Sequence, residues 1–287
     1  MVTQTYPSGE TMLMDLFVDG DEIYWDDYLA GAVYKMPRCG GTPTLLAAGV
    51  PWIHSMVFDH DRIYFLQSVD PGSSLEQPGF LRRVSRQGGP ITTLVDTIIQ
   101  PSNLALHGGR LYWSTYGNGI IESATTEGLD RQTVVDGLDH AAYMTVSDAG
   151  MLWADISAGT QFWRSLDGQQ SDSFTLDAGS PTGSIWHGQD AYLTTGDLDT
   201  GDFAGALVRW RPGTGQREVL FEGPYLLTPI IIGADMYLTS GATLLRMPLS
   251  GGQPVPLVQN INTPRHLAVD DEYVYWTCNT GLFRAPR

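Results

Sequence analysis

The stretch Arg265-His266-Leu267-Ala268-Val269-Asp270-Asp271-Glu272-Tyr273-Val274-Tyr275-Trp276-Thr277 reads as two short apolar strands joined by an acidic turn. A third strand follows at Leu282-Phe283-Arg284. The repeat before it supplies the fourth: Leu244-Leu245-Arg246-Met247-Pro248, the turn Ser250-Gly251-Gly252, then Val255-Pro256-Leu257-Val258. Moving outward, the Tyr-Trp doublet or a degenerate form of it recurs at Tyr24-Trp25, Tyr64-Phe65, Tyr112-Trp113, Leu152-Trp153, Tyr192-Leu193, Tyr237-Leu238 and Tyr275-Trp276. The spacings are 40, 48, 40, 40, 45 and 38 residues. A period near forty built of short strands and Gly-rich turns is the pattern of a β-propeller blade.

The expected fold is therefore all-β: a seven-bladed propeller of four-stranded antiparallel blades, closed by an N-terminal strand that completes the last blade. The last repeat ends after its third strand, and Val2 to Tyr6 is the segment left to supply the fourth. Blades are expected over about 11–48, 53–96, 101–136, 141–177, 181–222, 226–259, and 264–287 with 2–6, as one domain over 1–287. The pairs Gly40-Gly41, Gly88-Gly89 and Gly251-Gly252 mark one recurring turn, where positive φ favours glycine. Both faces of the strands carry large side chains, as stacked blades require, and no segment has a helical period.

The chain has 16 basic and 32 acidic residues, a formal charge of -16, and Lys35 is its single lysine. Such a balance repels phosphate backbones and argues against nucleic acid as a partner. No run of eighteen apolar residues offers a membrane span. Met1 to Gly9 lacks the basic and apolar regions of a secretory leader, which fits a cytoplasmic protein or an exported one with its leader removed. A monomer is expected. Cys39 and Cys278 lie in the first and last repeats, and geometry must decide whether they pair.

These repeats resemble the YWTD-like and TolB-like bacterial propeller repeats. The matching residues are Ala268-Val269-Asp270 with Tyr275-Trp276, and Cys39-Gly40-Gly41-Thr42-Pro43 after Val33-Tyr34-Lys35-Met36-Pro37. The resemblance implies binding of proteins or glycans, while similar rings also carry enzymes; the expected function is binding of a small molecule, glycan or protein at the channel mouth. To the seven-bladed streptogramin lyases the likeness is topological only, and no catalytic set transfers.

Aligning the repeats on the doublet exposes one column. Nine positions before the first doublet residue stand Asp15, Ser55, Asn103, Tyr143, Gly183, Thr228 and His266. Polar groups at one height near the start of each inner strand either satisfy one another or converge on a ligand at the channel mouth. The neighbouring position adds His54 and Arg265. Asp15, Ser55, Asn103, Thr228 and Arg265 are candidate ligand contacts, and Trp52 a stacking surface. In the alternative reading, a metal-assisted hydrolase or lyase, His266 or His54 acts as base and Tyr143 stabilises negative charge. Asp15, His54, Asn103 and His266 are the candidate ligands of a divalent cation, calcium or magnesium. Two long connections, 68–79 and 197–205, are expected to crown the same mouth; Asp197, Asp199 and Asp202 lack the rest of a calcium loop. Phosphate-loop, dinucleotide and nucleophile-elbow motifs do not occur.

Overall fold

The computed structural model describes residues 2–4, 12–69, 78–116, 118–176, 179–196, 204–262, 264–278 and 281–287. Among them the strands form seven four-stranded antiparallel sheets, six of them laid down in sequential order, and no helix occurs. The fold class is a seven-bladed β-propeller. The first sheet comprises Leu13–Asp19, Glu22–Asp27, Ala32–Pro37 and Thr44–Ala48. The inner strands of the next five begin at Ile53, Pro101, Ala141, Ser180 and Ile230. The last sheet runs Leu267–Val269, Tyr273–Cys278, Gly281–Pro286 and then Val2–Gln4.

The expectation of closure is corrected by this topology. Val2–Gln4 does pair antiparallel with the last strand, Val2 opposite Arg284 and Gln4 opposite Leu282. It completes a sheet and closes none: every sheet is open, with a strand at each edge that is paired on one side only. Four strands are too few to curl into a barrel around filled side chains, so edges are unavoidable. Residues 5 and 6 of the expected latch lie outside the described residues.

Two compact units divide the chain, residues 10–146, and residues 1–9 with 147–287. Within each, the sheets are held by burial on both faces. The second strand of the first sheet is buried from Ile23 to Asp27, and that of the last from Val274 to Cys278. In the first unit Tyr24, Val33 and Leu46 of one sheet pack on Ile53, Met56 and Phe65 of the next. In the second, Tyr237 and Leu244 pack on Leu267, Val274 and Trp276.

The doublet has a physical explanation. Its second residue faces an aromatic on the neighbouring strand: Trp25 opposite Tyr34, Trp153 opposite Phe162, Trp276 opposite Phe283. The rings stack with centroids 5.7, 5.5 and 5.7 Å apart. Its first residue reaches back to the turn aspartate. Tyr64 donates to Asp59 and Tyr275 to Asp270, each at 2.7 Å, while the same carboxylates cap the turn N–H groups of Arg62 and Tyr273. Burial and the Asp59 bond push the Tyr64 hydroxyl up to about 12.

An arginine then ties sheet to sheet. Arg86, after the third strand of the second sheet, reaches Asp19 at 2.6 Å and the Tyr24 hydroxyl at 3.0 Å. Its guanidinium also covers the rings of Tyr24 and Phe58. Arg287 repeats the arrangement in the other unit with Tyr237 and Asp235. The Gly-Gly turns show the expected positive φ, 89° and 126° at Gly251 and Gly252. Cys39 and Cys278 are both free thiols, the first exposed and the second buried.

Deleting residues 1–4 is expected to lower the thermal midpoint by several degrees and to make the amides of Gly281–Pro286 the first to gain deuterium. Trp276→Ala should cost about 3–5 kcal/mol in denaturant unfolding, since it removes a fully buried stacked ring.

Candidate functional site

The column found in the sequence coincides with a kink in the inner strands. Register shifts fall between Leu13 and Leu16, between Ile53 and Ser55, between Pro101 and Leu104, and between Pro181 and Gly183. A bulge leaves residues out of the ladder and re-aims their side chains. Those re-aimed are Met14, Asp15, His54, Ser102, Asn103 and Thr182. Just ahead of the bulges, Trp52 and Gln100 take φ of 57° and 48°, and Tyr143 takes 50°. A left-handed conformation costs a non-glycine residue roughly 1 kcal/mol and is held only by its surroundings.

Several column members tie one sheet to the next. In the first unit the Asp15 carboxylate accepts the Met56 N–H, and Asn103 Oδ1 accepts the Tyr143 N–H at 2.6 Å. Ser55 takes the ladder position opposite Leu66 and is buried. In the second unit Thr182 donates to the Leu226 carbonyl at 2.5 Å, and Thr228 donates to the Thr182 carbonyl at 3.4 Å. A Cβ on Gly183 would come within 1.9 Å of Thr228 Oγ1, which explains the one column member without a side chain. Arg265 donates its N–H to the Thr277 carbonyl, and His266 exchanges bonds with Thr277 through its own N–H and carbonyl. Burial, with Arg265 adding to it, pulls the His266 imidazole down to about 4, so it is neutral at physiological pH.

A second column escaped the sequence reading. One residue past the doublet stand Asp26, Ser114, Thr194, Thr239 and Thr277, all buried. Ser114 and Thr277 accept the N–H of Asn103 and His266 at 3.2 Å each. In the first repeat Asp26 puts a buried carboxyl where other repeats use a hydroxyl. Burial is the main reason its affinity for a proton rises well above the ordinary carboxylate value, and the charge of Asp15 adds to it. Asp15 itself is pushed up to about 7 by burial. The signal was a small polar residue directly after five of the seven doublets.

At the same ends of the sheets in the first unit, imidazoles and rings gather. His54 Nε2 lies 2.7 Å from Ser68 Oγ, and the Tyr28 ring meets the imidazole edge-on at 6.3 Å. The backbone interlocks beneath them: Trp52 N–H donates to the Tyr28 carbonyl and Ser68 N–H to the Trp52 carbonyl, at 3.3 and 3.1 Å. Burial lowers the proton affinity of His54 below the usual histidine value. In the third repeat Tyr116 takes the place of Tyr28. Its ring lies 5.6 Å from that of His140, and burial raises its hydroxyl despite a bond with Ser102. Trp52, Tyr28, Tyr116 and His140 are each half-buried, while Leu29, Val69 and Ile99 stand exposed at these strand ends.

Asp15, Trp52, His54, Ser55, Asn103 and Tyr143 thus belong to one unit, and Thr228, Arg265 and His266 to the other. Among the described residues no group of three or more His, Cys, Asp or Glu side chains is arranged to hold a metal ion. Residues 70–77 and 197–203, with Asp197, Asp199 and Asp202, lie outside the described residues. A charged depression on the fifth sheet is lined by Asp190, Arg209, Arg211 and Glu218, whose charges already pair with one another.

No protein-family profile matches the chain. It is similar in structure to a chain of the nidogen–laminin complex (TM-score 0.59, 17% identity, covering 86% of this chain and 93% of that one). A protein from Lactobacillus plantarum is similar at TM-score 0.67 and 14% identity over 97% of this chain and 92% of its own. A computationally designed protein is similar at TM-score 0.65 and 12% identity, covering 95% and 82%. At these identities the likeness is one of fold. Among the described residues no helix is long and apolar enough to cross a membrane.

A carboxylic acid whose proton is held more tightly in the fold than in the unfolded chain stabilises below its ordinary value of 3.8 and loses that contribution as pH rises. For Asp15 the loss falls between about pH 4 and 7, and Asp26, raised in the same direction by burial, adds to it. The thermal midpoint is expected to fall between pH 5 and 8. Asp26→Thr, which restores the hydroxyl of the other repeats, should raise the midpoint at pH 8 and flatten the profile; calorimetry across this range checks it.

Proposed function

We propose that this chain is a binding protein for a neutral glycan, which it holds at the bulged strand ends of residues 10–146. The observation that carries the reading is the pairing of half-buried rings with imidazoles, Tyr28 with His54 and Tyr116 with His140, at bulged polar strand ends, with half-buried Trp52 two residues before His54 in the chain. Sugar rings present apolar C–H faces and hydroxyl edges. Aromatic faces match the first, and the hydroxyls and amide of Ser102, Asn103 and Ser68 match the second. Neutrality follows from charge, because a chain of formal charge -16 disfavours anionic ligands. Asp15, whose carboxyl burial pushes up to about 7, adds hydrogen-bonding capacity without a strong local charge. The bonds of Tyr64 and Tyr275 to turn aspartates support placing the repeats with YWTD-like and TolB-like proteins.

A glycan array followed by titration calorimetry tests the reading. Saccharide binding should quench or shift tryptophan emission, and Trp52→Ala or Tyr116→Ala should each weaken it about tenfold, the loss of one stacking contact. Binding that neither substitution weakens would place the ligand elsewhere.

A further inference from the structure

We propose that Ser68 and His54 form a nucleophile–base pair that hydrolyses an ester carried by the bound glycan. This inference rests on the binding reading above for its substrate, but not for its chemistry. Four observations converge on the pair. The first is the 2.7 Å separation of Ser68 Oγ and His54 Nε2, the reach needed for direct proton transfer. The second is the origin of that contact. Ser55 rather than His54 takes the ladder place opposite Leu66, so the bulge turns the imidazole out of the sheet's own pairing.

The third is that the partner hydroxyl is peculiar to this repeat. Three residues beyond the second doublet residue stand Tyr28, Ser68, Tyr116, Ile156, Gly196, Gly241 and Asn279, so a serine occurs once at this place. The fourth is support on both sides. The Trp52 carbonyl fixes the Ser68 backbone, with Trp52 held at φ of 57°, and the Tyr28 ring bounds the imidazole. Burial keeps His54 unprotonated near neutral pH, the state a base requires. Ser68 is only 7% exposed, and this screens the nucleophile from bulk water.

The chemistry balances with water as the one co-reactant. In the tautomer protonated at Nδ1, His54 Nε2 accepts the Ser68 proton as Oγ bonds to the ester carbonyl carbon. Collapse of the tetrahedral adduct breaks the bond to the sugar oxygen, which leaves as the alcohol with the proton from His54. Water, deprotonated by the same imidazole, then cleaves the acyl-serine to a carboxylic acid and free Ser68. Ser68 and His54 are the catalytic residues, and Tyr28 is a positioning residue.

The full chain is to be treated with diisopropyl fluorophosphate and mapped by peptide mass, with release of 4-nitrophenol from 4-nitrophenyl acetate followed in parallel. Ser68 should be labelled, with fluoride displaced from phosphorus, at a rate that rises with pH and levels off before neutrality. His54→Gln should slow labelling and ester cleavage about 100-fold or more, with an unchanged circular dichroism spectrum. Ser68→Ala should abolish both. An unlabelled Ser68 in the folded chain, or labelling that His54→Gln leaves unchanged, overturns the proposal. Glycan binding separates the two ideas: a chain that binds sugar and resists the reagent loses only the dyad. One that takes the reagent at Ser68 and binds no sugar loses only the glycan.

Discussion

Burial of both faces of every second strand is the constraint on which the molecule depends. Tyr64, Phe65 and Leu66 are consecutive and wholly buried, as are Tyr237 and Leu238. Alternating side chains of one strand point to opposite faces, so such a strand is tolerable only between two neighbouring sheets. The hydrophobic gain from these rings is large, and the tyrosine hydroxyls among them are satisfied locally. Tyr64 and Tyr275 return their hydroxyls to turn aspartates, and Arg86 covers the Tyr24 ring while bonding its oxygen. The aromatic doublet is thus two devices in adjacent residues, a polar clip on one face and a stacking plate on the other.

Against this rigid stack, the inner strands are where regularity is given up. Bulges at Asp15, His54, Asn103 and Thr182 free side chains from the ladder, and the next sheet or a buried hydroxyl recovers the bonds. Where the recovery uses Ser114 or Thr277 it is neutral and stable across pH. In the first repeat Asp26 keeps a buried carboxyl in a setting that disfavours its charge, and that repeat becomes sensitive to pH. The same release brings His54 to Ser68, so a local break in strand pairing joins the architecture to the chemistry proposed for it.

Much of the fold was legible because its determinants are local and repeated. Gly251-Gly252 requires positive φ whatever surrounds it, and Tyr275-Trp276 marks a strand buried on two sides. The polar column was also legible as a pattern, Asp15, Asn103 and Thr228 among its members. What the pattern hid was the direction of each bond. Asn103 turns to the Tyr143 backbone, Thr228 fills the space over Gly183, and His266 binds within its own sheet. Closure was over-read, since a strand added to the edge of a sheet satisfies that edge and creates another.

By itself the sequence determined the number of repeats, their strand order, their turns and the height at which polar residues enter. All of these follow from short-range sterics and the two-residue period of a strand. Only the tertiary structure decided that Ser68 meets His54, that Asp26 stands in for a hydroxyl, and that Tyr116 lies against His140. Those contacts join residues on different strands or sheets, and their distances depend on how bulges shift one backbone past another. A shift of a single residue re-aims a side chain, and no periodicity in the chain records it.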